Sequence, residues 1–255
     1  MRIITYNVNG IRAAMSKGWL DWVKTVDPDI ICVQELKAQP DQLPLIEFEA
    51  AGYSCYHETA QKKGYSGVAI LTKHKPDLVK NGIGIQKYDN EGRFIRADYG
   101  DTSVISVYHP SGSSGDERQD FKMIWLNDFQ DYINELKKER PNLIIAGDYN
   151  ICHKPIDIHD PVRNATNSGF LPEEREWIGS FIDSGFVDSF RAFNTQPDQY
   201  TWWSFRTKAR SRNLGWRIDY LMVSKPIEGR MKHAEILADA VHSDHCPVLL
   251  EIDFN

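Results

Sequence analysis

Cysteine is scarce in this sequence. Four residues of 255, Cys32, Cys55, Cys152 and Cys246, lie far apart and form no CxxC pair. That spacing supports neither a zinc knuckle nor a small disulfide framework. Cys32, inside Asp29-Ile30-Ile31-Cys32-Val33, reads as a buried thiol. No apolar run reaches the roughly 18 residues a membrane span needs, so none is expected. The opening Met1-Arg2-Ile3-Ile4-Thr5-Tyr6 is strand-like and has no secretory n-region and h-region. A reducing, intracellular compartment is the expectation. Neither sign of charge dominates: 30 Lys+Arg against 36 Asp+Glu give a formal −6. A positive field over the whole surface is excluded, but a local basic face is not. No internal repeat, low-complexity tract or long Pro/Gly/Ser linker divides the chain. With 41% apolar and 26% charged residues, it reads as one domain that needs no structural metal or disulfide.

Short β-like runs recur at 2–8, 29–34, 66–72, 93–99, 102–108, 142–147, 216–223 and 246–254. Ile70-Leu71 and Ile144-Ile145 are too continuous for strands with one wet face, which points to sheets covered on both sides. Between them, Phe121, Trp125, Phe129, Tyr132, Ile133 and Leu136 recur at helical spacing and predict a helix over 117–139. Asp116 and Gln119 pair as a cap at its start, and Pro141 follows its basic end. Shorter helices are predicted over 17–26 and 172–184. The class is mixed α/β; periodicity does not give the layers.

The polar residues fall at strand ends. Strand 2–8 runs into Asn7, Asn9 and Gly10; strand 29–34 ends in Gln34-Glu35; strand 102–108 ends in Tyr108-His109-Pro110. Strand 142–147 ends in Gly147-Asp148-Tyr149-Asn150, and Ser243-Asp244-His245 precedes the last strand. Asp219 sits among apolar neighbours in Arg217-Ile218-Asp219-Tyr220-Leu221. Any one such residue is ordinarily a turn-former or cap. If these ends gather at one edge, they build an oxygen-rich site without thiolates, suited to Mg²⁺ or Mn²⁺ and not to zinc. Asp219 is costly unless paired. Its candidate partners are His245, whose imidazole it would orient and charge, or Arg217 or Arg212 in a structural bridge.

Residues 206–217 contain five basic residues and no acidic one, so the rest of the chain carries −11 once these are removed from −6. A phosphate backbone would be drawn to that face. Trp202, Trp203 and Trp216 flank it, and at least one of the first two is expected in the core.

Tyr6-Asn7-Val8-Asn9-Gly10, Gln34-Glu35, Gly147-Asp148-Tyr149-Asn150, Trp216-Arg217-Ile218-Asp219-Tyr220 and Ser243-Asp244-His245-Cys246-Pro247 resemble, in order and from end to end, the exonuclease III family of AP endonucleases. The resemblance implies a four-layer α/β sandwich, two packed mixed β-sheets flanked by helices, as one catalytic domain over residues 1–255. It implies a Mg²⁺-dependent nuclease that cleaves double-stranded DNA 5′ to abasic sites and trims 3′ ends as a 3′–5′ exodeoxyribonuclease and 3′-phosphodiesterase. Glu35 is then the principal metal ligand, with Asn9 and Asp244 near the ion, Asn7 in support, and Asp148, Asn150 and His245 bordering it. Asp148 positions and deprotonates the attacking water and Asn150 orients it. His245, held by Asp219, faces the scissile phosphate, and Tyr108 is a second phosphate contact. Trp202, Trp216 and Ile218 wall a pocket for the base-less sugar. Arg12, Lys37, Tyr65, Asn164, Asn167 and Arg210 contact the DNA, and Arg206 inserts into the duplex. Two positions depart from the family: some members carry Asp where this chain has Asn9, and Asn or Gln is common where it has Ser111. A monomer is expected, in a bacterial cytoplasm or, in a eukaryote, the nucleus. The competing expectations are a phosphatase or phosphodiesterase acting on lipid or inositol phosphates, and a non-catalytic DNA-binding relative.

Overall fold

The computed structural model describes residues 1–254; Asn255, the last residue of the expected domain, lies outside the described residues. In chain order the strands are β1 (Arg2–Asn7), β2 (Ile30–Gln34), β3 (Ser54–Glu58), β4 (Val68–Thr72), β5 (Leu78–Asn81), β6 (Phe94–Tyr99), β7 (Thr102–Tyr108), β8 (Asn142–Asp148), β9 (Phe186–Asp188), β10 (Asp219–Ser224), β11 (Met231–Ile236) and β12 (Val248–Ile252). The α-helices are α1 (Ile11–Ser16), α2 (Trp19–Val26), α3 (Leu45–Ala50), α4 (Gln86–Asp89), α5 (Asp116–Glu139), α6 (Pro172–Asp183) and α7 (Ser189–Phe193).

The strands form two six-stranded sheets, ordered β11-β12-β1-β2-β4-β3 and β5-β6-β7-β8-β10-β9. Each sheet is antiparallel except for one central parallel pair, β1 with β2 and β7 with β8. The two sheets pack face to face, β1 against β8 and β2 against β7. Alternation along each strand then divides the apolar side chains between an inner and an outer face. Ile70 and Ile144 join the core between the sheets, whereas Leu71 and Ile145 point outward. Trp125, Phe129 and Phe181 of α5 and α6 cover one outer face; Trp19, Val23 and Phe48 of α2 and α3 cover the other. Fully burying an aliphatic or aromatic side chain contributes about 1.5–3 kcal/mol, so both outer layers are firmly held. This is the expected four-layer α/β sandwich. Among the described residues, no helix is long and apolar enough to cross a membrane.

All eight expected strands are present. The four strands not expected, β3, β5, β9 and β11, are the four sheet edges. The cap at α5 differs too: Gly115 is the N-cap, without a side-chain bond. Gln119 instead reaches across to Glu174 at 3.1 Å. The segment expected as a helix over 17–26 is a turn followed by α2, with α1 before it.

Candidate active site

Because β1 runs parallel to β2, and β7 to β8, all four strands deliver their C-terminal ends to the same edge of the sandwich. Antiparallel β10 starts there, with Asp219 opposite Asp148 and Tyr108 beside Asp148 in register. Sharp reversals follow. Asn9, Glu35, Lys37 and Asn150 all have left-handed backbone, with φ of 47°, 54°, 48° and 52°. That region is uncommon for residues other than glycine and gathers at functional sites.

Asn7 bridges the sheets from a fully buried position. Its Nδ2 donates to Asp148 Oδ2 at 2.8 Å and to Glu35 Oε1 at 3.1 Å. Glu35 Oε1 also accepts from the Tyr108 hydroxyl at 2.6 Å, and Oε2 takes the Lys37 ammonium at 2.6 Å. Burial would raise the Glu35 pKa, but Lys37 foremost, with Tyr108 and Asn7, outweighs it and holds the carboxyl below its usual range. Asn9 accepts from Lys37 at 2.6 Å and donates to Asp244 Oδ1 at 2.8 Å. Asp244 Oδ2 accepts from Trp202 Nε1 at 3.1 Å. Here too burial pushes the pKa up, and His245, Asn9 and Trp202 more than reverse it.

His245 Nδ1 and Asp219 Oδ2 are 2.9 Å apart, which resolves the Asp219 pairing in favour of the imidazole. Arg217 is instead buried against Asp157 and Asp188 at 2.8 and 2.7 Å. Burial would lower the His245 pKa; Asp219, then Asp148 and Asp244, drive it up to about 10. Its Nε2 faces Asp148 Oδ2 across 3.9 Å, too far for a direct hydrogen bond. Asp148 is pushed up to about 7, by burial first and Asp219 second, against the pull of His245. Asn150 accompanies it, with its N–H on Asp148 Oδ1 at 2.8 Å.

Apart from Asn7 and Asp219, which are buried behind it, the groups of this network line one cleft of about 630 Å³. Its donor set is carboxylate and amide oxygen with no thiolate, which suits a hard divalent cation. Four carboxylates, Glu35, Asp148, Asp219 and Asp244, face the Lys37 ammonium, the His245 imidazolium and the Arg206 guanidinium on the rim, leaving a surplus of one negative charge when all are ionised. The Lys37 ammonium between Glu35 and Asn9 already shows positive charge accommodated there. Asp148, Asp219 and His245 bring ligand-type atoms within 4.8 Å of one another, the one such group among the described residues. His245 Nδ1 is committed to Asp219, whereas Glu35, Asn9 and Asp244 lie side by side on the cleft wall.

The sequence from residue 4 to residue 245 matches the Endonuclease/Exonuclease/phosphatase family. The chain belongs to that family. It is similar to the exodeoxyribonuclease of Bacillus subtilis, with 44% identity over 99% of this chain and 100% of that protein. It is also similar to the DNA repair nuclease APEX1 of Danio rerio, with 40% identity over 98% of this chain and 81% of that one. Among solved structures, an AP endonuclease from Archaeoglobus fulgidus superposes with a TM-score of 0.91 at 30% identity, over 99% of each chain.

Within this family member, Trp202 and Trp216 meet edge to face, 6.0 Å apart and at 89°, at the side of the cleft. Ile218 lies beside them and Arg206 on the rim. A Cβ on Gly169 would come within 2.9 Å of Trp216 Cζ3, so only glycine allows this wall. Beyond the tryptophans a second groove of about 520 Å³ holds Asn164, Asn167, Arg163 and Arg212. Trp203 is the core member of its pair, packed with Tyr200 and Cys246. Arg12 is exposed on α1. Arg210 is engaged internally: it donates to the carbonyls of Ala238 and Ala240 and stacks on Trp203. With Arg217 buried as well, the basic segment presents Arg206, Lys208 and Arg212 to solvent. Ser111 lines the cleft, its hydroxyl 2.9 Å from that of Ser113.

Two strand-end residues turn away from the site. His109 is buried among aromatics and accepts from Trp125 Nε1 at 2.9 Å. Gln34 bonds Thr5 and Ser106 between the sheets at 3.1 and 3.0 Å. One residue that sequence reading missed is Arg93. Its buried guanidinium stacks on the Tyr108 ring, holds the Tyr108 carbonyl at 2.9 Å and donates to the Tyr65 hydroxyl at 2.9 Å. Nothing in the local string Gly92-Arg93-Phe94 marks it.

Proposed function

We propose that this chain is a DNA-repair nuclease. It hydrolyses the phosphodiester 5′ to an abasic site in double-stranded DNA, leaving a 3′-hydroxyl and a 5′-deoxyribose phosphate. It also clears blocked 3′ ends by the same chemistry. The observation that carries this is one cleft in which a carboxylate–imidazole cluster faces a tryptophan-walled pocket with an arginine on its rim.

Glu35, Asn9 and Asp244 hold the cation, Mg²⁺ with Mn²⁺ as a substitute. When bound, it offsets the negative charge that develops on the phosphate oxygens. Asn7 fixes Glu35 and Asp148 relative to one another. Asp148 Oδ2 takes a proton from the attacking water. Asn150 directs its amide oxygen at that water. His245 Nε2–H, kept charged by Asp219, donates to a phosphate oxygen. Tyr108, propped by Arg93, steadies Glu35 and borders the phosphate.

Trp202, Trp216 and Ile218 receive the base-less sugar, which is cheap to extrude because it has no base to unstack. Arg12, Lys37, Tyr65, Asn164, Asn167 and Arg206 contact the backbone, giving affinity without sequence preference. Arg210 supports the loop that presents Arg206. One polypeptide acts as a single catalytic domain and as a monomer, in whichever compartment holds the DNA.

Incubation with a duplex bearing one synthetic abasic site, in Mg²⁺ or in EDTA, tests the proposal. A single cut 5′ to the lesion in Mg²⁺ and none in EDTA is the expected result. Binding without cutting would point to a non-catalytic relative. An uncut duplex beside a hydrolysed inositol phosphate would reassign the substrate.

A further inference from the structure

Lys122 and Glu174 form an ion pair with no exposed surface on either side chain, Nζ and Oε1 being 2.5 Å apart. Lys122 lies on the buried face of α5 with Trp125, Leu126 and Phe129, and Glu174 in the first turn of α6. An apolar side chain at 122 would simply continue that stripe, so packing does not call for a charge. Two charges removed this fully from water are costly unless their remaining hydrogen-bonding capacity is used.

Here that capacity is spent on the rim of the cleft. Lys122 Nζ donates to the Asn150 carbonyl at 2.8 Å. Glu174 Oε2 accepts from the backbone N–H groups of Gly169 and Leu171 at 2.6 and 3.0 Å. Its Oε1 also accepts from Gln119 at 3.1 Å. Asn150 is thereby held at every polar atom but one. Its N–H is on Asp148, its Nδ2 is shared between the His109 carbonyl at 3.0 Å and Asp148 at 3.3 Å, and its carbonyl is on Lys122. Among the described residues, only the amide oxygen Oδ1 has no protein partner, and the residue lines the cleft.

We propose that Lys122 is a positioning residue for hydrolysis. Through the Asn150 carbonyl it fixes the direction of the Asn150 amide oxygen, and Glu174 is the counter-charge that keeps the ammonium buried. This rests on the reading of the cleft as a site that aims Asn150 at water. Losing Lys122 strips the Asn150 carbonyl, at a φ of 52°, of its buried donor, and the peptide then tilts to find another and takes the amide off its aim; Lys122 itself touches no group assigned to DNA.

K122M/E174Q removes both charges together and keeps volume and a side-chain carbonyl for the 169–171 backbone. On the abasic duplex its kcat falls about 10- to 100-fold, as misplacement of a reacting group produces. KM and DNA affinity stay within about twofold, because the amide oxygen that E174Q leaves in place still accepts from the Gly169 and Leu171 N–H groups behind Trp216. K122R, which keeps the charge but relocates the donor, falls between the double variant and wild type and carries the test alone if the double variant does not fold. Wild-type kcat in either folded variant overturns the proposal, as does an equal loss of kcat and DNA affinity. A wild-type protein that leaves the duplex intact would refute the substrate reading instead. The hold on Asn150 is then read by NMR from its side-chain amide protons: protected from solvent exchange in wild type, exchanging at least tenfold faster in the double variant. Identical amide behaviour in both proteins overturns the proposal.

Discussion

Asp148 and His245 sit in opposed fields, and their protonation states follow from that. Burial and Asp219 lift Asp148 to about 7, while Asp219 and two further carboxylates hold His245 protonated up to about 10. A base must be ionised and a phosphate donor protonated, so kcat should rise as pH passes about 7, level off, and fall near 10. Both limbs belong to the coupled Asp148–Asp219–His245 set. D219N removes the strongest support of the imidazolium and should draw the alkaline limb downward; a limb that stays in place contradicts the pairing. D148N and H245A should each lower kcat by well over 10²-fold. A purified, folded variant turning over at near wild-type rate would refute the assigned role. Asn9 donates to Asp244, so N9D replaces a hydrogen bond with like charges. N9D should therefore bind Mn²⁺ about tenfold more tightly, and melt at lower temperature in EDTA. Unchanged affinity by titration would remove Asn9 from the cation rim.

Strand β8 leaves no room for a side chain at Gly147. A Cβ on Gly147 would stand 2.1 Å from the Val107 carbonyl of β7. The parallel pair would have to separate, at the strand that carries Asp148. G147A should cost about 3 kcal/mol or more in urea unfolding, at the upper end for overpacking. A loss below about 1 kcal/mol would mean that β7 and β8 yield easily. Inner strands were legible in the sequence because both of their faces are buried and several of them are rich in Ile and Val between turn residues. The edge strands β3, β5 and β11 mix in Ser, His, Lys and Asn and are partly exposed, and β9 is only three residues long, so no apolar run announced them. The paired cap at Asp116 failed for a related reason: Gln119 had a better partner in Glu174, far along the chain.

Over the whole molecule, an acidic protein grips a polyanion through a narrow basic rim. DNA affinity should fall steeply with salt, with a log–log slope of roughly −3 to −5 for about four to five phosphate contacts. Affinity that ignores salt between low and physiological ionic strength would contradict this. Stability carries a separate charge signature. Burial would raise the Asp157 pKa, but Arg217 and Arg191 outweigh it and hold it at about 2. A depressed folded pKa stabilises above the unfolded value, near 3.9, and that contribution fades as pH falls toward 2. About 2 kcal/mol should be lost across that window. D157N should flatten the acid limb of a stability–pH curve, and an unchanged limb would place the acid lability elsewhere.

Composition, periodicity and the order of short motifs were enough for the class, the eight inner strands, the long helix and the strand-end motifs that carry Glu35, Asp148 and His245. Each is a local property of the chain, or a pattern repeated along it. Which strand-end residues face the cleft was decided only by the sheets. His109 and Gln34 occupy the same kind of position as Tyr108 and Glu35, yet one enters the aromatic core and the other the space between the sheets. Arg217 and Arg210 look like members of a basic face, but one is neutralised by Asp157 and Asp188 and the other is tied to two carbonyls. A charge count has no access to partners that are 29 or 60 residues away. Alternation sets which way a side chain leaves its strand, but only the packed layers determine whether that direction holds solvent, a partner or the core.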